Sequence, residues 1–465
     1  MKKYLSLFSV LFVFIALGCE GLSTEDSVNL TTVSEVSEIS SINDNQTTED
    51  LSAEVPTDEP TTEIPTEELT TLEPTTAKND SHIINQVIVD NDMMKITILE
   101  AYEDGIWGYT LRVYHENKSD MKLMFALDDV IVNGYVISAI WANSLPAGAK
   151  ATETINLSSS DMEDSGIISV DKIDLYMRVY DYDDWMADDL INDIYTIYPT
   201  GLAEEEIIYP ERPSSDHEYV LIDNEDLTFI ILETYEDSIW GYTLKVYLEN
   251  KTNSELMFTL DNLLVNGYVI SSLWANSVHA GIKDIDEISL SSSDMEDSGL
   301  TSVDKVDLYM RVYDYNDWMD DDLINDIYTI YPTGLKEEEI ISPERPSSDN
   351  EYIVVDNEDL KFIIIETYED SIWGYSLKVY LENNSDSMLM FTWEDVMVND
   401  FAIDPFWAKE LVPNSKAVIS ISFFESDFEE NSIDVVEKIN FKLKIYDSMD
   451  WMADDLINSS FIYRP

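Results

Sequence analysis

Four histidines, one cysteine and 95 acidic residues are the side chains from which this 465-residue chain could build catalytic or ligating chemistry. The histidines are His82, His115, His217 and His279, and they share no spacing. The residues 133 and 266 places after His115 are Leu248 and Leu381, and His279 answers in the same way to Pro146 and Val412. No histidine therefore belongs to a recurring constellation, which argues against a zinc centre or a Ser-His nucleophile pair. Gly-rich phosphate loops and Gly-x-Ser-x-Gly elbows are absent from the sequence. We expect no enzyme activity from this composition.

Two other groupings suit ligand binding. The first is an acidic loop: Asp181-Tyr182-Asp183-Asp184-Trp185-Met186-Ala187-Asp188-Asp189, repeated as Asp314-Tyr315-Asn316-Asp317-Trp318-Met319-Asp320-Asp321-Asp322. Hard oxygen donors gathered on a loop suit Ca²⁺. Asp181, Asp184, Asp188, Asp314, Asp317 and Asp321 are the candidate ligands. The spacing lacks the central glycine and terminal Glu of an EF-hand, so a solvated acidic loop is the favoured reading, with weak calcium binding as the alternative and no other cofactor expected. The second grouping is an alternating strand, Asp307 to Tyr313, in which Leu308, Met310 and Val312 face one way. The other face then carries Tyr309, Arg311 and Tyr313, matched by Tyr176, Arg178 and Tyr180. Planar rings beside hydrogen-bonding side chains could stack on a sugar or anchor a protein. A tyrosine-rich solvated sheet face would read the same way.

The elements that must position these residues form a module written three times. Trp107, Trp240 and Trp373 recur at a period of 133 residues, as do Trp141, Trp274 and Trp407, and Trp185, Trp318 and Trp451. A period of that length matches a domain rather than a solenoid unit. Within a copy the dominant hydrophobic period is two, which is strand-like. Leu263 to Ile270 reads as a hairpin about Asn266-Gly267, because Asn-Gly supplies the positive φ angles of a type I′ turn. In the third copy Asp400-Phe401 stands where the others have Gly-Tyr. Ser291 to Glu296 predicts one helical turn with a serine cap. About seven short strands separated by frequent turns indicate an all-β chain of three tandem immunoglobulin-like β-sandwich modules, spanning 84–205, 218–338 and 351–465. Large aromatics in turns, such as Trp107 and Trp141, are expected to fold back over the edge of a sandwich core.

Residues 19–83 contrast with the modules. From 20 to 80 there is no Phe, Tyr or Trp, and Thr, Ser, Glu and Pro dominate, so a disordered acidic stalk is expected. Ahead of it, Lys2 and Lys3 precede an apolar run from Leu5 to Ile15, the pattern of a secretory signal over 1–18. Ala16-Leu17-Gly18-Cys19 resembles the lipobox of bacterial lipoproteins, in which the cysteine becomes the diacylated first residue of the mature chain. That resemblance implies lipid attachment at Cys19, acyl chains in the bilayer, and a body on the extracellular face of the cell membrane. Loss of the signal leaves 24 basic against 95 acidic residues, a charge of −71. Such a balance argues against nucleic acid as a partner, since phosphates need Lys and Arg.

The modules also resemble the tandem repeats of surface lipoproteins from low-GC Gram-positive bacteria. The Asn-Gly-Tyr hairpin, the Trp-Ala after it and the Tyr-Asp-x-x-Asp-Trp-Met segment carry the likeness, which implies surface display. The expected role is binding or adhesion toward a cell-wall or host glycan or protein, with repetition supplying avidity. A structural envelope spacer with no specific ligand is the alternative, and an enzyme is a distant third.

Overall fold

Alternating side chains become strands here because one face of each is apolar and needs cover. The computed structural model describes residues 82–104, 108–237, 241–341, 343–370, 374–405, 407–450 and 452–465. The signal, Cys19, the stalk as far as residue 81, and Trp107, Trp240, Trp373 and Trp451 lie outside the described residues.

In the first module the strands are β1 (His82–Asp90), β2 (Met94–Asp104), β3 (Gly108–Asn117), β4 (Leu123–Val132), β5 (Tyr135–Val136), β6 (Ala142–Leu145), β7 (Lys150–Asn156), β8 (Ile173–Asp181) and β9 (Ile191–Ile197), with a helical turn α1 (Ser159–Asp164) before β8. One sheet runs β1-β2-β3-β7 and the other β5-β4-β8-β9, with β6 paired to β4. Within the module all pairings are antiparallel. Ile96, Ile98, Leu111 and Val113 from the first sheet meet Phe125, Leu175, Met177 and Val179 from the second in one buried core. The second and third copies repeat this order of elements. The chain is thus three tandem immunoglobulin-like β-sandwiches, with nine strands per copy among the described residues rather than about seven.

The local expectations hold where the chemistry is local. Asn266 and Gly267 have φ of 49° and 85°, and Asn133 and Gly134 have 46° and 84°. The third copy makes the same turn with Asn399 and Asp400, at 50° and 73°. The asparagine does more than turn the chain. The Asn266 amide donates to the Ser302 carbonyl, and its oxygen accepts the N–H groups of Asp304 and Lys305. Asn133 and Asn399 repeat that clamp. Ser291 caps the helix Ser292–Asp297 by accepting the Asp294 N–H at 3.2 Å.

The sheets do not stop at module boundaries. Lys283 N–H donates to the Gly134 carbonyl at 3.0 Å, so β5 joins the strand Lys283–Ser289 of the second copy. Lys416 N–H repeats the bond to Gly267, again at 3.0 Å. Two continuous nine-stranded sheets result, each shared by neighbouring copies. The cores fuse as well: Ile230, Leu232 and Tyr247 of the second copy belong to the first cluster, and Ile363, Ile365, Tyr380 and Val418 of the third belong to the second. Lys245 to Asp164 at 2.6 Å and Lys378 to Asp297 at 2.5 Å bridge the two junctions. The linkers are tied down too. Arg212 makes a two-pronged bond to Glu218, and Arg345 does so to Glu351. In the first and third copies corresponding positions turn polar. Thr97 and Thr152 stand where the second copy has Ile230 and Ile285, and Lys442 pairs with Glu394 where the others have Tyr176 and Tyr309.

One core residue breaks the pattern of the copies. His115 is fully buried against Phe125 and Trp141, and among the described residues neither ring nitrogen has a hydrogen-bond partner. Burial lowers its pKa, partly opposed by the charge of Glu153. Lowering relative to the unfolded chain (about 6.5) means the fold is favoured by the neutral ring. Stability is complete above that pH and declines as pH falls below it. His115→Leu, copying Leu248 and Leu381, should raise stability by about 1–3 kcal/mol at neutral pH and by more at pH 5. Thermal melts at both pH values check this; an unchanged gap between them would show that His115 does not set the acid sensitivity.

Candidate functional site

The acidic loop sits between β8 and β9 and is built by its own backbone. Asp181 Oδ1 accepts the Asp183 N–H at 2.9 Å, and the Ala187 N–H returns to the Asp184 carbonyl at 3.1 Å. In the second copy Asp314 Oδ1 takes the N–H groups of Asn316 and Asp317, at 2.8 and 3.3 Å. A bond from the Ser254 side chain and these N–H groups hold the Asp314 carboxyl below the usual carboxylate range. Asp447 repeats the arrangement with Met449 and Asp450. The first acid of each loop is therefore a turn-former of the Asx type.

The other calcium candidates lie further along the loops. Asp184, Asp188, Asp317 and Asp321 are exposed. Among the described residues no group of three or more His, Cys, Asp or Glu side chains is arranged to hold a metal ion. Asp189 and Asp322, the last acids of the loops, bond Arg178 and Arg311, each with a shortest distance of 2.9 Å.

Those bonds decide where the tyrosine–arginine stripe goes. As the alternation requires, Leu308, Met310 and Val312 are buried and the stripe lies on the opposite face. Arg178 and Arg311 lean over Tyr180 and Tyr313, 4.7 and 4.6 Å from the ring centroids, while their Nε–H groups hold the aspartates. Tyr176 and Tyr309 face the next module. Tyr176 stacks on His279 of the second copy at 4.0 Å and 10°, and burial pushes its phenol up to about 12. His279 Nε2 lies 2.8 Å from Asp129 of the first copy, and Nδ1 lies 3.7 Å from Glu255. Tyr309 packs against the core of the third copy. The stripe is thus divided between an ion-paired cation–π cluster and a junction.

The tryptophans divide as well. Trp141 and Trp274 are 6% and 9% exposed, and their Nε1–H groups donate to Glu153 and Asp286 at 3.3 and 2.9 Å. Trp407 packs edge-on against Phe362. These three fold over the core as expected. The loop tryptophans do the reverse: Trp185 is 58% exposed and Trp318 65%, beside Met186 at 63% and Met319 at 76%. The third loop exposes Met449 and Met452. Exposed Ile194, Ile327 and Ile462 follow on β9 and its equivalents, Ile324–Ile330 and Ile457–Tyr463. The sequence marks these loops by acidity, and tryptophan type alone does not separate a core ring from an exposed one. The separating signal is position: Trp185 and Trp318 are flanked by turn-forming acids rather than by strand alternation.

Among the described residues no helix is long and apolar enough to cross a membrane. No protein-family model matches the chain, and no curated protein matches it. Among solved structures, the YadV chaperone is similar at 11% identity and a TM-score of 0.13, over 48% of this chain and 92% of that one. A likeness of that size carries no argument about function.

Proposed function

We propose that this protein is a membrane-anchored extracellular lipoprotein whose three β-sandwich modules bind a surface glycan or protein. The observation that carries the reading is the Trp-Met loop, exposed in the first two copies at the same place in the fold. These indole and thioether groups lie mostly outside a module's own core, and clustered exposed apolar groups mark interaction sites. The lipobox-like Ala16-Leu17-Gly18-Cys19 supports attachment, and a three-fold repeat supports avidity. Calcium, if the loops take it, is weakly held and incidental to this role.

The continuous sheets and tied linkers favour a second reading, a stiff spacer without a ligand. Two measurements separate the possibilities. Cys19→Ala should release the protein from membranes to the medium and abolish labelling by a fatty-acid analogue; an unlabelled wild type refutes the anchor. The whole chain should be retained by at least one component in a screen of wall glycans and surface proteins, and general failure to bind favours the spacer.

A further inference from the structure

We infer that the Trp-Met loops dock cationic, amphipathic polypeptide segments, a partner class that rests on the binding role proposed above. The apolar part of the patch is Trp185, Met186 and Leu190, with Trp318, Met319 and Leu323 as its counterpart, all exposed. Such a patch takes apolar side chains, and its surroundings decide which partners can bring them. Asp183, Asp184 and Asp188 neighbour Trp185 in the first loop and are exposed, as are Asp317, Asp320 and Asp321 beside Trp318 in the second. The arginines that could offset them are engaged, Arg178 by Asp189 and Arg311 by Asp322. The outward field of each loop is therefore negative, on a chain of formal charge −69.

Charge complementarity then selects among partners. Phosphate-rich or sulfated polymers and anionic lipid surfaces are repelled. A neutral glycan could stack on the indole but would leave the acids without a counterpart. A segment alternating basic and apolar residues meets both features: its cations meet the carboxylates and the indole face, and its apolar side chains cover the thioether and leucine. The molecule already shows that pairing internally. Lys122 Nζ sits 3.3 Å from the ring centroid of Tyr182 in the first loop. Repetition of the loop in successive copies would raise the apparent affinity for a partner with several basic segments.

The test uses the whole chain and a fluorescein-labelled peptide of alternating Lys and Leu, with an equally charged Lys/Ser peptide and a neutral cello-oligosaccharide as comparators. Substituting alanine at Trp185, Met186, Trp318, Met319, Trp451 and Met452 should weaken the Lys/Leu peptide at least tenfold. The Lys/Ser peptide should bind weakly, equally to both proteins, and be lost at high salt. Circular dichroism should show the variant folded. Equal Lys/Leu affinities for wild type and variant would overturn the inference, because diffuse attraction to an acidic chain would explain them. Absence of Lys/Leu binding to the wild type would overturn it too. Loop-dependent binding of the oligosaccharide but not the peptide would also overturn it, while leaving the surface-binding role standing. If neither probe nor any screened wall or surface component binds through the loops, both fall.

Discussion

Replacing Asp284 by alanine is expected to stabilise the second module by about 2–4 kcal/mol at neutral pH and to remove a loss of stability that grows with rising pH. Asp284 is almost fully buried on the strand Lys283–Ser289. The Asn276 amide donates to Asp284 Oδ2 at 2.9 Å and to Asp286 Oδ2 at 2.7 Å, so two carboxylates share one donor group. Burial, followed by the neighbouring charge of Asp286, pushes the Asp284 carboxyl up to about 8. The unfolded value is about 3.9, so the folded state prefers the proton. The sign follows directly. The contribution is fully favourable below about pH 4 and is lost progressively as pH rises toward 8. The sister copies have alanine here, Ala151 and Ala417, so the small side chain suits the site. After substitution Asn276 keeps Asp286 as acceptor, which limits the cost of the lost bond to about 1 kcal/mol. Melting curves between pH 4.5 and 8.5 should show the wild type losing stability relative to Asp284→Ala as pH rises, the gap widening toward pH 8. Parallel curves would mean that another group carries the dependence.

The contrast between Asp284 and its alanine counterparts shows which parts of this structure the sequence makes legible. Repeated copies act as internal controls: Asp284 against Ala151 and Ala417, or His115 against two leucines, mark buried oddities without any coordinates. The Asn-Gly turns and the Ser291 cap are legible because their geometry is decided within a few residues. The inward set Leu308, Met310 and Val312 is legible from alternation alone. Alternation also says that Tyr176 and Tyr309 point the other way, but it is silent about what lies beyond that face. Here the next module lies there, a contact between residues about 100 apart for Tyr176 and His279, and no local pattern encodes it. The outward direction of Trp185 and Trp318 is not legible from residue type, since a turn aromatic can fold back or project, and only the turn-forming acids that flank them mark the difference.

Because the junctions are made of such distant contacts, their removal should have an effect confined to module coupling. Tyr268→Ala is expected to cost about 3–5 kcal/mol, comparable to other large-to-small changes at buried aromatics, and to separate the second and third modules into two unfolding transitions. Tyr268 is fully buried, and it joins the cluster that contains Ile363, Ile365, Tyr380 and Val418 of the third copy. Lys416 lies over its ring at 5.6 Å, and the adjacent Gly267 carbonyl carries the sheet into that copy. Truncating the ring opens a cavity where the two cores meet, and the backbone pair beside it loses its apolar cover. A control is built into the chain. Phe401 occupies the equivalent position in the third copy and is 44% exposed. Phe401→Ala should therefore change stability by only about 0.5 kcal/mol. Calorimetry of the whole chain compares the two variants, and limited proteolysis near Pro346 tests the linker, whose tie from Arg345 to Glu351 depends on the docked geometry beside Tyr380. Equal effects of the two substitutions would show that the hairpin tip matters only within its own module. A large effect of Tyr268→Ala alone, with faster cleavage of the linker, would establish that neighbouring sandwiches share a load across one continuous core.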